Sequence, residues 1–298
     1  MTWTESAALV VLLRTGTQPW QHYAALVEEA GSALAVLERE TSERGHGQAS
    51  LFADPAEPEP EHMLESATAD IERWRARGMR LLTVLEAEYP ENLRTVHDRP
   101  PLIFVSGELR VADARSIAVV GTREASVAGA AEARGVAGHL IDAGFTVVSG
   151  LAAGIDTAAH EATLARGGRT IAVVGTGLQR VYPLQNAELQ RRISREGAVI
   201  SQFWPDAAPS RQSFPMRNAV MSGLTLGSVV VEATRTSGAR IQARLALAHG
   251  RPVFLPRRLL REAWARDFAA RPGTHVVSEP AEITQIIGRL TSAGVLSS

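Results

Sequence analysis

Short, almost wholly apolar runs recur along the C-terminal two thirds of this chain, at residues 116–121, 145–149, 169–174, 197–201, 227–232 and 252–255. The segments between them, 127–143, 154–166, 185–195, 214–225 and 238–248, place their apolar positions at helical spacing. Strands that are apolar on both faces and alternate with helices predict βαβ units and a mostly parallel sheet covered on both sides. The expected fold is therefore α/β, a doubly wound Rossmann-like sheet. Upstream the periodicity changes. Residues 4–40 carry Leu9, Leu12, Leu13, Tyr23, Leu26, Leu34 and Leu37 at helical spacing and predict two or three short helices. The stretch 41–61, TSERGHGQASLFADPAEPEPE, is rich in Gly, Ser, Pro and Glu. It predicts a linker. A charged helix over 62–77 follows, then a strand in RLLTVL and another at 102–105. The expected division is a small helical domain over 1–45, a linker over 46–61 and a Rossmann-like domain over 62–298 with its core at 113–290.

In doubly wound sheets ligands bind beyond the carboxyl ends of the strands, so those ends carry the chemistry. The first run ends in GTREAS, where Gly121 permits a tight turn, Thr122 and Ser126 offer hydroxyls and Arg123 adds a fixed positive charge. With the amides of a helix start this predicts an anion site. The GxGxxG fingerprint of dinucleotide binding is missing at the place where it belongs. The second run leads into SGLAAGIDTAAH, with Ser149, Gly150 and Gly154 at the rim. Asp156 in this segment is open to two readings, a helix-start carboxylate organising the loop or a group acting on a ligand; His160 reads as a packed histidine or a base. The third gives GTGLQRVYPLQN, with Gly175, Gly177 and Arg180. In SRQSFPMRNAV, Arg211 and Arg217 bracket Phe214, with Asn218 beside them, an arrangement that suits base stacking flanked by phosphate contacts. Phe214 as ordinary helix core is the competing reading. VEATRTSGARIQ then places Glu232 at a strand end, and Ser237, Gly238 and Arg240 at the next helix start.

Composition narrows the chemistry further. The chain has 298 residues, 45% of them hydrophobic, with no cysteine and eight histidines that show no metal-ligand spacing. No metal and no cofactor are expected. All 31 basic residues are arginine. That removes P-loop, Schiff-base and kinase-type lysine chemistry and leaves the side chain best matched to phosphate. The net charge of −1 conceals a division: residues 1–112 hold 10 Arg against 18 Asp and Glu, whereas residues 113–298 hold 21 against 14. A basic C-terminal part fits an anionic partner. The first residues, MTWTESAALVVLLRTG, lack a secretory signal's basic start and cleavage site. A cytoplasmic location is expected.

The segments EAEYPENL, DRPPLIFVSGEL, GTREAS, SGLAAGIDTAAH, GTGLQRVYPLQN, SFPMRNAVMSGLT and VEATRTSGARIQARLALAHGRPVF occur in an order and spacing that resemble the DNA-processing protein A family, DprA or Smf, over about residues 80–256. The resemblance implies a homodimeric, non-enzymatic protein that binds single-stranded DNA and helps load a RecA-type recombinase in natural transformation. It implies that Arg123 contacts DNA phosphate and that Phe214, Arg217 and Asn218 lie at the pocket. The N-terminal helices resemble the family's small sterile-alpha-motif-like domain. Departures are Ala219 where the family usually has arginine, Leu184 where it often has lysine, and FLPRRLL in place of AVPG, with Arg257, Arg258 and Arg261 added. No C-terminal winged helix is expected. The alternatives are a nucleotide hydrolase and a sensor of a small nucleotide, both using the same rim.

Overall fold

The computed structural model describes residues 4–47 and 59–296. Two compact units emerge, the first comprising residues 1–89 and 100–103 and the second residues 90–99 and 104–298. The first holds helices α1 (Glu5–Thr15), α2 (Trp20–Ala30), α3 (Ala33–Gly47) and α4 (Pro60–Ala76) and strand β1 (Met79–Thr83). α1 is its centre, because Ala7–Leu13 are buried all round the helix, which a helix tolerates only when neighbours cover every face. Thr4 caps α1 by accepting from the Ala7 N–H at 3.2 Å. Glu5, in the first turn of α1, reaches across to accept from the Leu34 N–H at 3.1 Å and the Ser32 hydroxyl at 2.9 Å, and so caps α3.

The boundary of this unit corrects the expected one. α4 belongs with the N-terminal helices: Arg14 of α1 pairs with Asp70 of α4 at 2.6 Å, and the Arg14 guanidinium lies 5.8 Å from the Trp74 ring centroid. Of the expected 46–61 linker, residues 46 and 47 finish α3, residues 60 and 61 begin α4, and 48–58 lie outside the described residues.

The second unit opens with α5 (Glu91–Arg94) and β2 (Leu102–Gly107), whose Phe104–Gly107 belong to it. There follow β3 (Ser116–Gly121), α6 (Val127–Asp142), β4 (Thr146–Ser149), α7 (Ile155–Ala165), β5 (Thr170–Val173), α8 (Ala187–Glu196) and β6 (Ala198–Ser201). The chain continues through α9 (Ser213–Leu224), β7 (Ser228–Glu232), α10 (Ala239–Ala248), β8 (Val253–Pro256), α11 (Ala263–Ala269), β9 (Thr274–Val277) and α12 (Pro280–Ser292). Strand order is β2-β6-β5-β4-β3-β7-β8-β9. All these pairings are parallel except β2 with β6, where Phe104 faces Ser201 and Gly107 faces Ala198 in antiparallel register.

The expected α/β, Rossmann-like sheet is thus present, with strand bounds within two residues of the apolar runs. β9 and α12 had no counterpart in the sequence reading. THVV is half-buried along most of its length and lacks the continuous apolar signature of the inner strands. Ile117 and Val119 pack with Ala133, Val136 and Leu140 of α6, with Val229 and Val231, and with Ile283 and Ile287 of α12. Each such side chain taken from water contributes about 1.5–3 kcal/mol. No described helix is long and apolar enough to cross a membrane.

The order reverses between β3 and β7: the chain proceeds from β3 to β4 and β5 on one side and to β7 and β8 on the other. Helices leaving the two strands in opposite directions leave a crevice at their carboxyl ends. Gly121–Glu124 follow β3 there, and Ala233–Gly238 follow β7.

Candidate nucleic-acid interface

At that switch point lies a cleft of about 380 Å³, walled by Gly121–Glu124, by Phe214, Arg217, Asn218 and Met221 of α9, and by Thr234, Thr236, Ser237, Gly238 and Gln242. A second recess of about 200 Å³ adjoins it, lined by Gly150, Gly175, Thr176, Tyr182, Pro183 and Gln185. Arg123, Ala152, Phe214 and Arg217 line both. Phe214 and the two arginines are therefore common to both.

The sequence places Phe214 there by fixing the entry to α9. Ser210 N–H donates to Ser213 Oγ at 3.1 Å and Ser213 N–H donates to Ser210 Oγ at 3.0 Å, a reciprocal cap that sets the first turn. Phe214 is half-buried, its ring centroid 5.7 Å from that of Tyr182 and 4.9 Å from the Arg123 guanidinium. Gly175 lets the ring lie close, since a Cβ there would stand 3.0 Å from Phe214 Cδ1. Arg123 itself is exposed and makes no ion pair among the described residues. A cation–π contact worth about 0.5–1 kcal/mol at an exposed site parks the guanidinium without neutralising it.

Arg217 plays a different part. It is 6% exposed, and its Nη1 donates to the carbonyls of Gly150 and of Val173, the latter at 2.8 Å. Burial pulls its pKa down, Asp156 opposes that, and Arg123 adds to it. The two arginines that bracket Phe214 in the sequence are placed differently in the fold. Arg217 is the cleft floor, whereas Arg211 is exposed and lines neither recess.

Asp156 organises the loop after β4. Its Oδ2 accepts from the N–H groups of Gly150 at 3.1 Å and Ala152 at 3.4 Å, bracketing Leu151, a fully buried side chain on a backbone of φ 55°. A left-handed leucine costs roughly 1–3 kcal/mol and persists only where its surroundings hold it. Burial pushes the Asp156 carboxyl above its usual range, and Arg217 and the loop N–H groups oppose the shift. His160 is wholly buried, 2.7 Å from the Thr170 hydroxyl. Burial first, and Arg217 second, bring its pKa down to about 3. It is a neutral packed histidine rather than a base.

The remaining sequence candidates divide cleanly. Gly121, Thr122, Arg123, Phe214, Arg217, Asn218, Ser237 and Gly238 line the larger cleft, and Gly150 and Gly175 the smaller. Asn218 donates to the Gly238 carbonyl at 3.3 Å and joins α9 to the start of α10. Ser149 lies beneath the surface, its hydroxyl donating to the Val119 carbonyl at 2.6 Å. Gly154, at φ 81°, turns the chain against the backbone of Thr122 and Arg123, and Gly177 is packed on the carbonyls of Trp204 and Pro205. Arg180 donates to the Asp206 carbonyl at 3.1 Å, and Arg240 lies 5.6 Å from the Trp264 ring centroid, both outside the recesses. Thr234, Thr236 and Gln242 went unseen in the sequence, because a threonine in a loop has no spacing signature.

Ser126 needs a larger correction. The start of α6, where a Rossmann protein seats phosphate, is filled by the protein's own Glu232. Glu232 Oε2 accepts from both the N–H and the hydroxyl of Ser126 at 3.1 Å, while the Ser126 hydroxyl accepts from the Gly129 N–H at 2.9 Å. Gly129 has no side chain because a Cβ would overlap Glu232 Oε2. The helix-start groups expected to meet an anion at the first βα turn are thus already occupied.

Fold and cleft together define a Rossmann-like protein whose switch point is lined by hydroxyls and arginine, while Glu232 fills the helix start at α6. The chain belongs to the DNA recombination-mediator protein A family, whose model matches residues 80–290. It is 42% identical over 172 residues to DNA processing protein DprA of Streptococcus pneumoniae, covering 58% of this chain and 61% of that one, and 39% identical over 200 residues to protein Smf of Escherichia coli, covering 66% and 54%. The chain spans between 47% and 61% of the length of such curated relatives. The X-ray structure of S. pneumoniae DNA processing protein A superposes with a TM-score of 0.71 at 27% identity, covering 95% of this chain and 98% of the other. DNA processing protein A of Helicobacter pylori, solved for its single-stranded DNA binding mode, shares the fold with a TM-score of 0.62 at 24% identity, covering 72% and 96%.

Proposed function

We propose that this protein is a DprA-type single-stranded DNA binder that acts without catalysis and hands its strand to a RecA-type recombinase, as a cytoplasmic homodimer serving natural transformation or recombination. One observation carries the reading: an exposed arginine without a carboxylate partner among the described residues rests on an aromatic ring that lines two adjoining recesses. A strand crossing this rim places a phosphate on the Arg123 guanidinium. A base then stacks at Phe214, and its neighbours enter the recesses on either side. Stacking reads no sequence, because every base has a π-face. Family membership supports the same class of partner. The two carboxylates that the sequence singled out are both engaged, Glu232 capping α6 and Asp156 holding the loop at Leu151.

The test is fluorescence anisotropy on oligo-dT with Arg123→Ala and Phe214→Ala. Arg123→Ala is expected to weaken binding for all sequences alike and to flatten the dependence of log K on log salt by about 0.7, one phosphate's share on a single strand. Phe214→Ala is expected to cost about 1–3 kcal/mol, one stacked base, with the salt slope nearly unchanged. Wild-type affinity in both variants removes the reading. A cleft of about 380 Å³ also falls in the range of small-ligand sites and supports a second reading, a nucleotide sensor. Thermal stabilisation by nucleoside monophosphates but not by oligonucleotides would select it.

A further inference from the structure

We propose that His97, Asp98 and His249 form a site for a first-row divalent cation such as zinc, at the ends of α9 and α10 away from the cleft. The sequence showed no metal-ligand spacing, because two of these residues are adjacent and the third lies far along the chain. The fold brings one ligand atom of each within 4.8 Å of the others. His97 is exposed on the loop after α5, and the His249 side chain is fully buried immediately after α10.

The hydrogen-bond pattern at His249 points to a cation. Ser222 Oγ donates to the Ala219 carbonyl at 3.2 Å and lies 2.6 Å from His249 Nδ1. On the other side of the ring, Nε2 lies 2.8 Å from Asp98 Oδ1. Both atoms are buried, and neither has a further hydrogen-bond partner among the described residues. A buried imidazole nitrogen and a buried carboxylate oxygen turned on one point, with no further partner, form a donor set that a cation satisfies. The His97 ring, 5.4 Å from that of His249, supplies the third donor from the solvent side.

Two imidazoles and one carboxylate suit zinc, with an open position for water. Ser222 on the far nitrogen is the outer partner that fixes a ligating histidine's tautomer. The location adds a further contribution, since His249 follows the last residue of α10 and a cation there complements the negative helix end. A bound ion would clip the loop at residues 95–99 to both helices that carry the cleft. Other tethers already converge there: Arg251 donates to the Asn92 carbonyl at 3.2 Å and to the Thr95 hydroxyl at 3.1 Å.

The test is titration of the untagged full-length chain with zinc chloride by calorimetry, and with cobalt(II) by visible absorption. One ion per chain, a tetrahedral cobalt spectrum and a raised melting temperature are expected. His97→Ala, at an exposed position that leaves the core intact, should weaken zinc binding at least tenfold and abolish the cobalt bands. Asp98→Asn should do the same while circular dichroism stays unchanged. If zinc fails to bind at micromolar concentration, or if His97→Ala and Asp98→Asn bind it as the wild type does, the site is an ordinary histidine–aspartate pair and the proposal fails.

Discussion

His160 carries a charge-free imidazole into the core beneath the cleft, and this has a consequence in acid. Its pKa is about 3 in the folded protein, against an ordinary value of 6.5. Between those values the unfolded chain takes up a proton that the native protein refuses, so the native state loses stability as pH falls from 6.5 toward 3. Above 6.5 both states are neutral and the contribution is flat. The slope approaches about 1.4 kcal/mol per pH unit. His160→Gln is therefore expected to be less sensitive to acid than wild type, whatever its stability at neutral pH. Urea unfolding at two pH values, above and below the histidine range, measures the difference; parallel losses in both proteins would show that His160 does not set it.

At the scale of elements, the cleft depends on how closely α9 approaches the end of β5. Gly175 sets that distance, and Gly175→Ala would push a methyl to 3.0 Å from the Phe214 ring. The ring must give by a few tenths of an ångström, and its contact with Arg123 shifts with it. Weaker oligo-dT binding is expected with less than about 1 kcal/mol lost in unfolding experiments, a smaller effect than a buried overpacking. Equal loss in both measurements would mean that the helix, not the ring, had moved.

The same elements show what was legible in advance. Inner strands such as IAVV were plain because a strand buried on both faces is apolar at every position. Glycine turns at their ends located the rim. The roles within the rim were hidden. Arg123 and Arg217 look alike in sequence, yet one is exposed and the other is bonded to two backbone carbonyls. Ser126 looked available because nothing in GTREAS announces that a glutamate more than a hundred residues later occupies it.

For the whole molecule, the uneven distribution of charge should appear in how salt governs binding. The excess of arginine lies in residues 113–298, the part that contains the cleft. Several of those arginines are already neutralised, Arg166 by Asp142, Arg169 by Asp113 and Arg258 by Glu132. Formal charge therefore overstates the footprint. A wild-type slope of log K against log salt near −2, the release expected for about three phosphates on a single strand, fits a short contact centred on Arg123. Anisotropy over a salt series, with single-stranded and duplex DNA side by side, measures it; a slope several times steeper would require a binding track beyond this cleft.

The pairing of Glu232 with Gly129 reaches beyond ligand choice. The two positions form one steric unit, because the carboxylate sits where a side chain at 129 would have to go. Drift at either is therefore constrained by the other: a methyl at 129 demands a shorter residue at 232, and a shorter residue at 232 uncovers the amides of α6. Converting this scaffold into a dinucleotide-binding protein would require vacating the seat before any fingerprint was written into the turn. In relatives, the two positions should change together.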